Sequence, residues 1–185
     1  MTTVTLVSLL HSLGPRFPVY APSLLLPLLG GHQGDLWLPP IEGEDVSALR
    51  QHAKGKAVQS LAPLAAGWCD FALSDGGDAP ELEALASYDE EMLDNLLMYW
   101  RYPDKINSPI TDNLFELRRE VVDEAHGVRL AGAWQQQQQA RLGQIMEGVR
   151  AGRDQLCFVE VESAYWLRQQ LMEMDGITLV TPTLE

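Results

Sequence analysis

The stretch Leu156-Cys157-Phe158-Val159-Glu160-Val161-Glu162-Ser163, continued by Ala164-Tyr165-Trp166-Leu167, decides the fold. Its first half is apolar and β-branched, which predicts a strand over 155–161. From Ser163 the pattern changes to helical spacing, with Ala164, Leu167, Leu171 and Met174 on one face. Asp175-Gly176 ends that helix, and Ile177-Thr178-Leu179-Val180 reads as a last strand. Strand, helix, strand in this order predicts a parallel βαβ unit with a right-handed crossover. The fold class is therefore α/β, a small and mostly parallel sheet packed with long amphipathic helices.

Upstream, the helices that pack such a sheet are legible. Ser87 and Glu90 have capping-box spacing, which predicts a helix from Tyr88 to about Arg101, before Pro103. Met92, Leu93, Leu96, Leu97 and Trp100 form its apolar face. Ser108-Pro109 supplies an N-cap followed by proline at the first helical position. Ile110, Leu114, Leu117, Val121, Ala125 and Val128 then recur at steps of three and four, as the apolar face of a second helix. Gly127 and Gly132 are candidate kinks. Helical pattern resumes through Gln135–Gln139 to Val149 and closes at Gly152.

The N-terminal half is less regular. Thr2 to Leu10 suits a buried strand, and Ser23 to Leu29 suits a short helix or a second strand. Gly30 to Asp35 reads as a loop. Pro39-Pro40 makes any strand at Leu36-Trp37-Leu38 short and places it at a sheet edge. A short helix is expected over 45–51, a turn at 54–56, and a weak helical pattern over 58–68. The chain reads as one domain, 1–185. A loop at 74–79 separates the irregular half from the helical C-terminal half.

Composition narrows the partners. The 185 residues carry 26 acidic against 13 basic side chains, a net charge of -13. Such a surface repels phosphate backbones and anionic bilayers, so neither nucleic acid nor membrane is expected as a partner. A basic protein or a cation is attracted instead. Cys69 and Cys157 lie far apart outside any CxxC pair and read as buried thiols of a reducing compartment. No basic residue precedes the apolar run 4–10, so a secretory signal is not expected, and the location expected is cytoplasmic.

Chemistry concentrates at the strand-to-helix junction. Ligands of open α/β sheets gather at the carboxyl ends of strands. On a strand, Phe158, Glu160 and Glu162 would share one face. A buried Glu160 demands a partner, and Arg118, Arg119, Arg141, a divalent cation and water all qualify. Glu160 and Glu162 are thus candidate metal ligands, and with His11, at the end of the first strand, candidate catalytic residues. His32 and Asp35, in and after the glycine-rich loop, are candidate ligand-binding residues. No HExxH, G-x-S-x-G, Walker or EF-hand pattern is present. Among five tryptophans, Trp134 and Trp166 are candidate interface anchors.

The segment 141–181 resembles the end of the TraB/ChaN-like group of α/β proteins. There a helix bearing an arginine and a methionine, here Arg141 and Met146, leads to a strand and a histidine-bearing turn. A helix and a short strand follow. The resemblance implies a metal-dependent hydrolase, yet the Gly-x-x-His turn is replaced by Glu160-Val161-Glu162-Ser163. Two expectations result. One is an acidic cytoplasmic interaction or regulatory subunit with a protein partner or a second copy. The other is a metal-dependent hydrolase of TraB/ChaN-like type, with carboxylates at the end of strand 155–161 and a divalent cation as cofactor.

Overall fold

The structure is a computed structural model that describes residues 1–13, 20–40, 43–64 and 80–185. The loop expected at 74–79 and Cys69 lie outside these residues. Five strands form one sheet: β1 (Thr2–Leu9), β2 (Asp35–Leu38), β3 (Val58–Ser60), β4 (Gln155–Glu160) and β5 (Ile177–Val180). Their spatial order is β3-β2-β4-β1-β5 and every neighbouring pair is parallel. The α/β reading holds, and the sheet is parallel throughout. β1 and β4 are central and almost wholly buried, as their near-continuous apolar sequences require.

Among the described residues six helices accompany the sheet: α1 (Pro22–Gly30), α2 (Glu44–His52), α3 (Pro80–Tyr99), α4 (Pro109–His126), α5 (Val128–Arg150) and α6 (Val161–Met172). α1 packs on α2, whereas α6 lies on β1, β4 and β5 and is flanked by α4 and α5. Among the described residues, no helix is long and apolar enough to cross a membrane.

Ser108 caps α4 as expected, its hydroxyl accepting from the Thr111 amide at 3.3 Å. Gly127, at φ 82°, ends α4 and opens α5, a break that a residue with a Cβ enters at a cost.

Several expectations are corrected. α3 begins at Pro80, not Tyr88: proline at the first position and Glu81 and Glu83 in the first turn start it earlier. Ser87 lies inside the helix. β2 is short, but β3 pairs beyond it, so the edge strand is β3. That strand occupies the start of 58–68, where a helix was expected. The apolar stripe of α4 is its core face only in part: Leu114, Val121 and Ala125 pack against the core. Ile110 and Leu117 are 57% and 43% exposed, while Thr111, Phe115, Arg118, Arg119 and Val122 are buried.

Candidate functional site

β1 and β4 end side by side, with Leu9 opposite Glu160. The strand that follows β1 lies on one side of this pair, and the strand that follows β4 lies on the other. The connection from β1 therefore passes across β4 and the connection from β4 across β1, and the carboxyl ends of strands are the usual ligand position in such sheets. β1 runs on into a short 3-10 turn, His11–Leu13, and β4 passes into α6 without a loop.

Glu160 is the last strand residue and is 0% exposed. Arg141, from α5, neutralises it. Its Nη2 donates to Oε1 at 3.0 Å and its Nη1 donates to Oε2. The same guanidinium donates from Nε to the Ala62 carbonyl at 2.7 Å and from Nη1 to Ser163 Oγ at 3.4 Å. A two-pronged guanidinium–carboxylate pair with its other donors satisfied is the form in which buried charges are tolerated.

Glu162 does not share a strand face with Glu160. Helical geometry begins at Val161, so Glu162 lies in the first turn of α6, where a carboxylate suits the helix dipole. Its Oε2 accepts from Ser12 Oγ at 3.0 Å.

His11 does reach this neighbourhood. Its side chain is 3% exposed, and its Nδ1 lies 3.5 Å from Asp45 Oδ1, an ion-pair contact longer than a hydrogen bond. Asp45 is in the first turn of α2 and accepts through Oδ1 from the Val46 amide at 2.8 Å. Gly43 lets α2 approach this closely, because a Cβ there would sit 2.7 Å from the His11 Cβ. Burial disfavours the imidazolium. The attraction of Asp45, with Glu160 and Glu162 beyond it, outweighs that and raises the His11 pKa above 6.5.

Among the described residues, neither His11 ring nitrogen, nor Asp45 Oδ2, nor either amide atom of buried Gln138 has a hydrogen-bond partner. Folded proteins pair or hydrate nearly all such groups. The unpaired atoms of His11 and Asp45 at the carboxyl end of β1 are therefore the polar groups there that water or a ligand would satisfy.

The residues do not fit a divalent cation as the sequence suggested. Both Glu160 oxygens are occupied by Arg141, and Glu162 points from a helix rather than along the strand. No group of three or more His, Cys, Asp or Glu side chains among the described residues is arranged to hold a metal ion.

His32 and Asp35 stand elsewhere, at the opposite, amino-terminal end of β2. His32 Nε2 contacts the Asp35 carbonyl at 2.7 Å. The Asp35 carboxylate accepts from Arg153 and Gln155, each at 3.0 Å, and Gln155 accepts from Trp37 Nε1 at 2.8 Å. These contacts pin the start of β2 to the start of β4.

Trp134 and Trp166 are core residues, not surface anchors. They are 4% and 8% exposed and meet edge to face with centroids 6.3 Å apart. Trp134 also stacks on Tyr165, and the Arg119 guanidinium lies 5.1 Å from its ring centre. From the sequence alone Asp45 reads as a dipole partner, an acidic residue in the first turn of a helix. Its role depends on where α2 lands. No protein-family model, curated protein or solved structure matches the chain.

Proposed function

We propose that this chain is a cytoplasmic hydrolase of acid–base type, in place of the metal-dependent chemistry that the TraB/ChaN-like resemblance implies. His11 takes and returns the proton. Asp45 orients the imidazole and favours its charged form. The observation that carries the reading is the buried His11–Asp45 pair, with ring nitrogens unpartnered among the described residues, at the carboxyl end of β1. The 3.5 Å separation suits an unliganded site, since such contacts tighten when substrate binds. Arg141 occupies both Glu160 oxygens, which leaves His11 as the side chain placed to transfer a proton. The buried free thiol of Cys157 supports a reducing compartment.

The test screens small esters, amides and phosphate esters for turnover, then compares His11→Asn and Asp45→Asn. His11→Asn should lose about 10²–10⁴-fold in rate, the usual contribution of a positioned acid–base group. Full turnover by a folded His11→Asn protein removes His11 from the mechanism. A second measurement needs no substrate. Because the folded-state pKa of His11 is raised, its stabilising contribution is complete below about 6.5 and is lost as pH rises through the folded value. Urea midpoints of wild type and His11→Asn should therefore converge as the pH is raised.

A second reading rests on the exposed stripe of α4. Ile110 and Leu117, 57% and 43% exposed, support an interaction subunit that associates with a second copy. Sedimentation at tens of micromolar should then show self-association, abolished by Ile110→Lys with Leu117→Lys. A strict wild-type monomer counts against this reading.

A further inference from the structure

A cavity of about 580 Å³ opens between the start of α4, the end of α6 and the chain just beyond β5. That volume falls in the range of small-molecule sites. Its origin is topological. β5 pairs with β1 only as far as Thr5, so the later edge of β1 has no strand beside it. Asn107 takes the place of one, its Oδ1 accepting from the Ser8 amide at 2.7 Å. Arg168 Nη2 donates to Ser8 Oγ at 3.0 Å and to the same Asn107 oxygen at 3.2 Å.

The walls carry both charges. Arg168 is buried on α6 and paired through Nη1 with Asp112, yet its buried Nε has no partner among the described residues. The first turn of α4 lies beside it, and a helix N-terminus favours an anion. Asp112 and Glu116, one turn apart, supply two carboxylates, the second accepting from Gln169 at 3.1 Å. Tyr165, Met172 and Leu179 give apolar surface.

A plain anion entering this cavity meets two carboxylates, and a plain cation meets Arg168 and the positive end of α4. We propose that the cavity binds a small zwitterion of the amino-acid or dipeptide class with an apolar side chain. Its carboxylate lies toward Arg168 and the α4 N-terminus. Its ammonium lies toward Glu116, and its side chain packs on Met172 and Leu179. This site is separate from His11, and its test reads binding rather than turnover.

Isothermal titration of the full chain with leucine and Leu-Leu, beside isopentylamine and 4-methylpentanoate, decides the matter. At least one zwitterion should bind at least tenfold more tightly than either single-charge analogue. Glu116→Gln, which keeps an acceptor for Gln169, should weaken that binding at least tenfold. Met172→Trp, at an exposed position on the cavity wall, should abolish it with circular dichroism unchanged. Three results overturn the proposal: no zwitterion binding at millimolar concentration, equal binding of the amine or the acid alone, or binding that survives both substitutions.

Discussion

Arg141→Met is expected to destabilise the protein by about 3–5 kcal/mol, the cost of stranding a buried charge by removing its partner. Both members of the Arg141–Glu160 pair are 0% exposed, so no water is at hand to replace the guanidinium. The substitution also orphans the Ala62 carbonyl, which now accepts from Arg141 Nε at 2.7 Å. In a chain of 185 residues the melting temperature should fall by about 10 °C. Adding Glu160→Met removes the stranded carboxylate as well, and a well-packed apolar pair is close to neutral against the ion pair it replaces. The double variant should therefore recover most of the loss. Arg141→Lys should fall between them, since an ammonium cannot make the two-pronged contact. Urea unfolding with an unchanged m-value reads all three. An Arg141→Met protein as stable as wild type would show that Glu160 finds another partner.

The same pair explains what could and could not be read in advance. The β4–α6–β5 unit is legible because its strands are short apolar runs bounded by Gly152, Gly176 and a clear change of period. The need of Glu160 for a partner is legible too, since a carboxylate on a buried strand demands one, and Arg141 is one of the arginines within the sequence that can supply it. The exact strand end was not. A strand alternates faces every residue, while a helix turns about 100° per residue, so a one-residue shift of the junction separates Glu160 from Glu162.

Helix α4 failed differently. Hydropathy identifies the stripe of Ile110, Leu114, Leu117 and Val121, but the buried side carries Arg118 and Arg119. Arg118 is buried because Asp89 of α3 accepts from its Nε and Nη2 at 2.8 and 3.0 Å. Apolar periodicity is blind to a buried face built from a charge pair between two helices. Arg168 belongs to the same class. It interrupts the apolar run of α6, and that interruption is the sequence signal for the cavity beside α4.

The glycine-rich loop before β2 yields the second large effect. Gly34→Ala is expected to cost about 2–4 kcal/mol, in the upper range for overpacking. A Cβ at position 34 would lie 1.8 Å from the Asp154 carbonyl oxygen and 2.6 Å from its carbon. These are backbone atoms, so the clash cannot be relieved by a rotamer change. The displaced segment is also the first to join β2 to β4, since the Asp35 amide donates to the same Asp154 oxygen at 2.9 Å. Shifting it disturbs the Asp35–Arg153–Gln155 contacts and the Trp37 hydrogen bond behind them. Gly31 is the internal control: a Cβ there meets nothing within 4 Å and its φ is -93°, so Gly31→Ala should change stability by less than about 0.5 kcal/mol. The loop that looked free to approach a ligand is then a spacer for strand pairing, with its indispensable glycine three positions beyond the dispensable one. Thermal unfolding of the two variants separates the readings. Equal melting temperatures for Gly34→Ala and wild type would mean that β2 and β4 do not pack this closely at their start.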